Sequence, residues 1–569
     1  MAKKYVDHEV PPFYNIKDLM QQTVKLYGDT VAYKFKSGNG DEVKEVTYRE
    51  FDTETEYIGT GLFSLGLAGG HIGCAGENSY RWIVTCLAAL KGSGVFCTID
   101  KELPESDLIN IINGGEDDVV FCDKKREEIF KRIRDQLPNV KYFVCFDRAE
   151  DEGEFLSYDK LLEKGKQLYE SGERGYDRLS NDVMELKLLI YTSGTTGIAK
   201  GVMLSEKNIC SMVYYGLRTS QVRPVGLSVL PYHHSYELVA GILVAIRYGA
   251  TVCINESLKR VLKNLQLYKP QYIYLVPGFL EVFYRSVWAN IEKKGKTKTV
   301  KNALKVSDSL RKVGIDVRRK LFAEIHEAFG GNLEKIVCGG APLRPEIGKF
   351  FESIGIILCN GYGITECSPL VAANRDDETA DCSTVGFPLE CLDVKIANPN
   401  EEGVGEIAVR GETVMMGYYH NPEATAEVFD DEGFFYTGDY GRFNDLGQII
   451  ITGRKKNIII LGNGKNIYPE EIEAYVCNVP YITDCIVYAD RDEEGVEVSL
   501  CAECAVDAET LAGTDRDELC KKVKSDVFAA CSVLPSYKQV ARIVVRDKPF
   551  VKTTSNKIRR NKDGRPMEN

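Results

Sequence analysis

A loop rich in serine, threonine and glycine between two apolar segments restricts the fold of this chain more than any other stretch. It runs from Tyr191 to Gly201 and reads Tyr-Thr-Ser-Gly-Thr-Thr-Gly-Ile-Ala-Lys-Gly. The segments Val183–Ile190 and Val202–Leu204 on either side have the apolar character of buried strands. Glycines let a turn bend sharply and expose N–H groups, while hydroxyls and a lysine add donors. The pattern predicts a strand–loop–strand unit that binds polyphosphate; a plain Ser/Thr/Gly turn is the alternative.

The loop differs from the other common phosphate loop, G-x-x-x-x-G-K-[ST]. In that motif a Ser or Thr follows the lysine and binds Mg²⁺, whereas Gly201 follows Lys200 here. This difference argues against a P-loop ATPase or kinase. The loop residues predicted to bind polyphosphate are Thr192, Ser193, Gly194, Thr195, Thr196, Gly197 and Lys200.

Length and charge restrict the class of protein further. A chain of 569 residues is too long for one ordinary core and implies several domains. The net charge of −12 argues against general nucleic-acid binding, because nucleic acids select basic surfaces. Anionic substrates must then be bound by local Lys and Arg side chains.

The cysteines indicate free thiols rather than a metal site or disulfides. Among the 18 cysteines only Cys501 and Cys504 form a C-x-x-C pair, within the predicted strand Val498–Val506. Their odd spacing places them on opposite faces of a strand, and a second pair that would complete a zinc site is absent from the sequence. We therefore expect a reducing, cytoplasmic location.

The apolar segments are not typical of membrane spans. Residues 1–9 have no apolar signal-peptide core, and Leu238–Ile254 is interrupted by Arg247 and broken at Tyr248–Ala250. We predict a buried helix followed by a strand there. The sequence leaves peripheral membrane contact and the oligomeric state open.

Helical and strand patterns alternate along the first half of the chain. Ser79–Lys91 has helical spacing of apolar residues, and Gly94–Ile99 is typical of a short buried strand. Such alternation predicts parallel α/β layers. After Asp381 short strands with frequent Gly and Pro predict a small β-rich subdomain.

The loop is the first of several blocks that together resemble the adenylate-forming superfamily of acyl-CoA synthetases, peptide-synthetase adenylation domains and luciferases. The resemblance extends from about Tyr14 to Arg560, and its further blocks are Gly339–Pro342, Gly361–Glu366, Tyr436–Asp439, Gly453–Arg454, Gly464–Asn466 and Thr554–Lys557. It implies an α/β fold in which residues 1–453 form a large domain of two α/β-layered sheets plus a β-barrel-like subdomain. Residues 454–569 would form a small mobile α+β domain that pivots at Lys456.

The resemblance also assigns roles to individual residues. Tyr362 would pack on adenine and Gly363 would contact ATP or AMP. Thr365 would bind the α-phosphate, and Glu366 would bind a magnesium ion. We expect this block to be a loop that leaves the strand Ile356–Cys359, where α/β proteins bind ligands. The remaining residues assigned to ATP or AMP line the adenine and acyl pockets or contact the ribose: Gly339, Gly340, Ala341, Asp439 and Arg454.

Catalytic and acceptor residues follow from the same blocks. His234 matches the histidine at the carboxylate end of the acid substrate. Lys557 matches the lysine that lowers the repulsion between a carboxylate and ATP, although Asn556 replaces the usual glycine before it. Gly464, followed by Lys465, matches the glycine beside the pantetheine arm of coenzyme A.

The implied reaction uses ATP, Mg²⁺ and coenzyme A to convert a carboxylic acid to an acyl-adenylate and then to a thioester. The block Pro231–Glu237 lacks the Asp that pairs with an amino-acid ammonium group, and Val276–Tyr284 resembles long-chain fatty acyl-CoA ligases. Phe279 and Leu280 would line an acyl tunnel or belong to the core. Medium-chain or aryl acids, a carrier-protein arm as acceptor, and a catalytically inactive binding protein are the alternatives.

Overall fold

The computed structural model describes residues 7–36, 42–179, 182–192, 199–377, 379–460, 466–491, 497–507, 510, 512, 515–552, 558–561 and 563–567. The chain forms two compact units. The first comprises residues 1–393 and 409–435, and the second comprises residues 394–408 and 436–569. This division differs from the predicted one at 453/454, because it assigns two further segments to the second unit. The pivot at Lys456 stays a prediction.

Strands and helices alternate through the first unit. The strands up to residue 388 are β1 (Val31–Lys36), β2 (Val43–Thr47), β3 (His71–Ala75), β4 (Val95–Thr98), β5 (Val119–Cys122), β6 (Tyr142–Cys145), β7 (Phe155–Ser157), β8 (Leu186–Thr192), β9 (Lys200–Ser205), β10 (Val225–Ser228), β11 (Thr251–Ile254), β12 (Tyr272–Leu275), β13 (Lys335–Cys338), β14 (Ile357–Gly363), β15 (Leu370–Ala373) and β16 (Phe387–Pro388). The helices are α1 (Ile16–Tyr27), α2 (Tyr48–Ser64), α3 (Tyr80–Lys91), α4 (Glu105–Gly114), α5 (Lys124–Ile133), α6 (Tyr158–Glu170), α7 (Glu206–Thr219), α8 (Val244–Tyr248), α9 (Val261–Tyr268), α10 (Pro277–Lys293), α11 (Thr297–Arg311), α12 (Arg318–Leu321), α13 (Ala323–Ala328) and α14 (Pro345–Ser353).

The elements after residue 391 are mainly short strands. They are β17 (Leu392–Ala397), β18 (Gly405–Gly411), β19 (Gly417–Tyr418), α15 (Pro422–Ala426), β20 (Phe435–Phe443), β21 (Ile449–Arg454), β22 (Ile459–Ile460), β23 (Asn466–Ile467), α16 (Pro469–Val476), β24 (Ile482–Arg491), β25 (Glu497–Val506), α17 (Arg516–Cys531) and β26 (Arg542–Val545).

Two large sheets form the first unit. One has the order β16-β15-β14-β13-β12-β10-β11-β1-β2, and β1, β11, β10, β12, β13 and β14 are parallel. The other has the order β19-β9-β8-β4-β3-β5-β6-β7, with a parallel run from β8 to β7. Central strands such as β5 and β12 are buried at every position, as expected where helices cover both faces of a parallel sheet.

Local sequence signals explain several helix starts. The Ser79 hydroxyl caps α3, and Thr47 with Glu50 forms a capping box at α2. In α10 the buried residues Leu280, Phe283, Val287 and Ile291 follow helical spacing and join the core under the nine-stranded sheet. Leu280, predicted for either tunnel or core, is therefore a core residue, and Phe279 packs against the same cluster partly buried.

Three smaller sheets complete the described chain. Their orders are β17-β18-β20-β21, β22-β23 and β24-β25-β26, so the predicted β-rich region after Asp381 is present as the four-stranded sheet. In the second unit α16, α17 and the last of these sheets enclose one apolar core. Cys504 lies in that core whereas Cys501 lies in a separate cluster, which confirms that the two thiols occupy opposite faces of β25.

Two predictions about local structure need correction. The strand predicted to end at Cys359 continues to Gly363, so Tyr362 and Gly363 are strand residues and not loop residues. The cause is pairing of Gly361 and Tyr362 with the antiparallel strand β15, which extends the ladder. The first half of the predicted buried helix, Tyr236–Leu243, is a π-helix that continues into α8.

Candidate active site

The predicted substrate residues of the first unit follow one edge of the nine-stranded sheet. Parallel strands end at the same edge, and ligands of open α/β sheets bind there. His234 follows β10, Gly339 follows β13, and Thr365 and Glu366 follow β14. Thr365 starts a short 3-10 turn, residues 365–367, which turns the chain directly after the strand.

Small residues bring two of these strand ends close together. A Cβ atom on Gly339 would lie 3.1 Å from the carbonyl oxygen of Gly361 and 3.5 Å from the Tyr236 hydroxyl. Gly340 has φ +83°, a left-handed conformation that favours glycine. Gly340 and Ala341 are exposed, so their backbone is accessible at this edge. Tyr362, near the end of β14, is buried.

Tyr418 connects two of the predicted residues. Its hydroxyl donates a hydrogen bond of 3.0 Å to Glu366 Oε1. The Lys200 ammonium lies 4.8 Å from the centre of the same ring, within the range of a cation–π contact. Burial and the nearby Glu366 carboxylate raise the pKa of Tyr418, so this hydroxyl stays a donor. A cation and a carboxylate from distant blocks are thus held on one aromatic side chain.

Strand pairing produces this arrangement. β19 pairs with β9 so that Tyr418 lies opposite Val202, two residues beyond Lys200. The Met415 amide donates to the carbonyl of Glu366 at 2.8 Å. Backbone hydrogen bonds therefore fix Lys200, Glu366 and Tyr418 relative to one another.

The phosphate loop starts and ends in a hairpin of β8 and β9. Thr192 and Lys200 are paired across the hairpin, and the Thr192 hydroxyl lies 3.5 Å from the Lys200 carbonyl oxygen. The strand–loop–strand prediction is confirmed for the two strands. The predicted phosphate donors within the loop, Ser193, Gly194, Thr195, Thr196 and Gly197, lie outside the described residues.

The two adjacent histidines have different surroundings. Their rings are 4.3 Å apart, and His233 Nε2 lies 3.5 Å from an oxygen of Asp100. Burial, and then the neighbouring His234, holds the pKa of His233 well below its usual value, so His233 is neutral. His234 is less buried, and its carbonyl oxygen accepts from the Leu238 amide in the first turn of the π-helix.

Glu237 is a buried carboxyl behind the histidine block. It accepts a hydrogen bond from the Ser228 hydroxyl at the end of β10, and its second oxygen has no hydrogen-bond partner among the described residues. Burial raises the pKa of Glu237 to about 8, so the group is largely protonated at neutral pH. A cavity of about 10 Å³ beside it, bordered also by Ser228 and Tyr272, is close to the smallest space that holds one water.

The predicted ribose residues lie in the second unit and contact each other. Asp439 on β20 and Arg454 on β21 are opposite each other, with 3.0 Å between Arg454 Nε and Asp439 Oδ1. Asp439 is buried, whereas the Arg454 side chain is about half exposed. Glu406 binds the Lys455 ammonium at 2.6 Å and the Gly438 amide at 3.2 Å, which supports the turn before Asp439.

The segment that carries the predicted catalytic lysine is anchored on both sides. Lys557 lies outside the described residues, as do Gly464 and Lys465. Lys552 and Ile558 form a β-bridge across this segment, and the Arg559 amide donates to Val551 O at 2.9 Å. Arg560 binds the buried Glu473 carboxylate and the carbonyl of Val487. Lys456, the predicted pivot, lies in a 3-10 turn, residues 455–457.

Magnesium fits the carboxylate that the first unit provides. Among the described residues, no group of three or more His, Cys, Asp or Glu side chains could hold a metal alone. Mg²⁺ in phosphate-binding sites is usually held by one or two carboxylates together with phosphate oxygens and water. Glu366, partly exposed next to the phosphate hairpin, suits that mode of binding.

Tyr418, Glu406 and Lys455 contact predicted site residues or support them, and the sequence alone did not predict these roles. Tyr418 belongs to the pair Tyr418–Tyr419 that follows a glycine, and this local pattern has no obvious link to Glu366. Glu406 and Lys455 are 49 residues apart and meet only because β18 and β21 belong to one sheet.

Comparison with known proteins identifies the family of the chain. The family model described as AMP-binding enzyme matches residues 20–419, and the model of the AMP-binding enzyme C-terminal domain matches residues 456–564. The chain belongs to the AMP-binding enzyme family. As an AMP-binding enzyme it carries the predicted nucleotide residues of the first unit within the first match, and Lys456, Gly464 and Lys557 within the second.

Curated relatives of this AMP-binding enzyme are named as fatty acyl-CoA ligases. Fatty acyl-CoA synthetase B of Dictyostelium discoideum is 28% identical, covering 91% of this chain and 83% of the relative. The long-chain-fatty-acid–CoA ligase ACSBG1 of Homo sapiens is 28% identical, covering 92% of this chain and 76% of the relative.

Solved structures share the fold. An anthranilate CoA ligase, AuaEII, in complex with anthranoyl-AMP has a TM-score of 0.77 at 18% identity, covering 96% of both chains. The adenylation domain of a carboxylate reductase from Mycobacterium chelonae has a TM-score of 0.79 at 22% identity, covering 96% of this chain and 89% of the other. Within the described residues, no helix is both long enough and apolar enough to cross a bilayer.

Proposed function

We propose that this AMP-binding enzyme activates a medium- to long-chain fatty acid as an acyl-adenylate and transfers the acyl group to coenzyme A. The observation that carries the proposal is the junction at Tyr418, which holds Lys200 and Glu366 together. It places one cation and one carboxylate beside the start of a phosphate hairpin at a ligand-binding sheet edge. The names of the curated relatives support a fatty acid as the substrate.

The first step joins two anions. A carboxylate oxygen of the acid attacks the α-phosphorus of ATP, the bond to the β-phosphate oxygen breaks, and pyrophosphate leaves. Lys200 and, by resemblance, Lys557 stabilise the charge that develops, while Thr365 orients the α-phosphate. Magnesium held by Glu366 neutralises phosphate charge when it is bound.

The second step uses the mixed anhydride. The sulfur of coenzyme A attacks the acyl carbonyl, the bond to the phosphate oxygen breaks, and AMP leaves with the electron pair. Asp439 and Arg454 would hold the ribose of the adenylate through this exchange, and Gly464 would leave room for the pantetheine arm. His234 would contact the carboxylate end of the acid.

Three features favour an apolar acid over an amino acid. The segment Pro231–Glu237 contains two histidines and no Asp that could pair with an ammonium group. The lowered pKa keeps His233 neutral, so its side chain offers no charge that could pair with a second charged group on the acid substrate. The partly buried Phe279 at the start of α10 offers an aromatic surface beside the core. Aryl acids and a carrier-protein acceptor are the alternatives.

The test is an assay of the purified chain with ATP and Mg²⁺ against fatty acids of increasing length, benzoate and amino acids. We expect pyrophosphate release to rise with apolar chain length, and thioester to form with free coenzyme A. A preference for an amino acid or for benzoate would contradict the substrate assignment. Thioester formed only on a pantetheine-bearing carrier protein would contradict the acceptor.

A variant links this activity to the site. Glu366→Gln should reduce pyrophosphate release by about 10²–10³-fold, which is typical when one preorganised electrostatic group is lost. Glu324→Gln, which removes an exposed carboxylate from the same unit, should have little effect. If the two variants were equally active, Glu366 would not be a residue of the active site.

A further inference from the structure

One segment of the first unit has a charge opposite to that of the whole chain. Residues 293–320 contain eleven Lys or Arg and two Asp or Glu, so the segment has a net charge of +9, whereas the chain has −12. This segment comprises the end of α10, the helix α11 and the turn that leads into α12. A net charge so unlike the rest indicates an anionic partner.

The charge is displayed on one face of α11. Val300, Ala303 and Leu304 pack against the core, and Ser307 is buried, so these four residues mark the inner face. The helical period of 3.6 residues puts the exposed lysines on the opposite face. We call this the basic face, and its residues are Lys298, Lys301 and Lys305 on α11 with Lys312 directly after the helix.

These lysines are available to a partner. The nearby lysines Lys294 and Lys296 are bound to Glu324, and Arg318 is bound to Asp316. In contrast, the structure of residues 277–328 shows no salt bridge to any lysine of the basic face. Asp308 is the one acid on α11 and lies at helical spacing from Lys305 and Lys312, so it offsets only a small part of this charge.

Aliphatic side chains are exposed next to the basic face. Val313 and Ile315, in the turn after α11, are 69% and 49% exposed, and Val306 on α11 is 54% exposed. Between α10 and α11 lies a cavity of about 250 Å³ lined by Tyr284, Trp288, Glu292, Thr297 and Lys301. Exposed aliphatic side chains, aromatic rings and lysines on one surface segment are typical of proteins that bind at the boundary between lipid headgroups and acyl chains.

We infer that the basic face and the Val313–Ile315 turn dock on the surface of an anionic phospholipid bilayer. The lysines bind lipid phosphate and carboxylate groups, and Val313 and Ile315 enter the boundary of the acyl chains. A nucleic acid could bind the lysines through its phosphates, but it would give Val313 and Ile315 no favourable apolar contact. Docking on this face does not depend on which acid the enzyme activates.

The test is co-sedimentation of the full chain with vesicles of phosphatidylcholine, with or without phosphatidylserine. We expect binding only when phosphatidylserine is present. Lys298→Glu with Lys305→Glu should lower the partition coefficient at least about 10-fold, since each lysine near an anionic surface contributes roughly 5-fold. Val313→Ser with Ile315→Ser should remove the part of the binding that persists at high salt.

Matched controls make the outcome decisive. Lys125→Glu with Lys164→Glu makes the same charge change at exposed positions of α5 and α6, and it should not alter binding. Equal loss in this control, equal binding to neutral vesicles, or no binding would overturn the inference. Tighter binding to duplex RNA than to vesicles through Lys298 and Lys305 would also overturn it. Trp288, one of the two tryptophans of the chain, should change its emission on anionic vesicles.

Unchanged pyrophosphate release by the variants, with an acid dissolved in water, checks that they are folded. Failure of lipid binding with normal activity would reject only this inference, and failure of the activity with normal lipid binding would reject only the proposed function.

Discussion

Tyr418 has a position that none of the motif blocks indicates by itself. Its ring lies under the ammonium group of Lys200, and its hydroxyl is bound to Glu366. Lys200 and Glu366 have opposite charges and would neutralise each other in direct contact. An aromatic side chain between them leaves both charges available to a nucleotide and its metal ion.

Tyr418→Phe keeps the ring and removes the hydroxyl. A hydrogen bond to a charged group contributes about 1.5–3 kcal/mol, so we expect kcat/KM for adenylate formation to fall by about 10–100-fold. Tyr419→Phe is the matched control, because that neighbouring hydroxyl binds the exposed Glu116 carboxylate. The role assigned to Tyr418 would be wrong if both variants lost the same activity.

Glu237 should make stability depend on pH. Its pKa is about 8 in the folded protein, against an ordinary value of 4.5, because the carboxyl is buried. The groups near it are uncharged: the side chains of Ser228, Tyr232 and Tyr272 and the backbone amides of Val229 and Leu230. Between about pH 4.5 and 8 the folded chain keeps a proton that the unfolded chain has lost, so its free energy of unfolding falls as pH rises.

Glu237→Gln should remove this contribution, which amounts to about 1.4 kcal/mol per pH unit in that range. The glutamine oxygen can still accept from Ser228. Urea unfolding followed by tryptophan fluorescence, at about pH 5 and about pH 7.5, measures the effect, because Trp82 and Trp288 both lie in the first unit. A stability difference between wild type and variant that is the same at both pH values would contradict the assignment. Asp117, whose burial also raises its pKa to about 8, is present in both proteins and cancels in the comparison.

At the scale of elements, the flanks of residues 553–557 are held by the second unit. Lys552 binds Asp484 on β24 at 2.7 Å, and Arg560 binds Glu473 on α16. Ile558 packs against the apolar cluster of Ile486 and Phe550. Since a strand and a helix hold the residues on either side, we expect that loss of either contact would displace Lys557.

Arg560→Ala should therefore act as the loss of a positioning residue. We expect adenylate formation to fall by about 10–100-fold, since small displacements of a catalytic group are costly. Conversion of pre-made acyl-adenylate and coenzyme A should change little, because Lys557 is assigned to the first step. Arg565→Ala, at an exposed position on the same unit, is the control. Loss of both steps to the same extent would indicate a structural role only.

At the scale of the whole molecule, the two half-reactions make different demands on the second unit. The resemblance assigns Lys557 to adenylate formation and Gly464 to thiol entry, with a pivot at Lys456. Departure of pyrophosphate and entry of a thiol need different surroundings for the same adenylate. We therefore propose that the second unit presents these residues in turn.

Lys557→Ala should abolish adenylate formation and still convert pre-made acyl-adenylate to the thioester. Gly464→Leu should do the reverse, because a bulky side chain blocks the thiol while pyrophosphate release continues. Each half-reaction is measured separately on each variant, with circular dichroism as the folding control. If both variants lose both steps equally while folded, the proposed alternation does not apply to this protein.

Local patterns predicted several elements of the first unit, whereas the members of the candidate site were predicted mainly from the resemblance of motif blocks to a known family. Periodicity predicted the short strand Gly94–Ile99, which contains β4, and the helix Ser79–Lys91, in which Ser79 caps α3. Apolar runs and caps act over a few residues, so they can be read without knowing the fold. The end of β14 was predicted wrongly, because its last residues are strand only through pairing with β15.

The order of the motif blocks in the sequence predicted the chemistry of the site: a phosphate loop with a lysine, Glu366 for magnesium, Asp439 with Arg454 for the ribose, and Lys557 near the end of the chain. These assignments depend only on the types of residue and on their order along the chain. Only the tertiary structure decided that Tyr418 joins Lys200 to Glu366, that Glu406 holds Lys455, and that the lysines of α11 share one exposed face. Such contacts depend on strand pairing and helix packing between distant segments, because their geometry is set by the whole sheet and core.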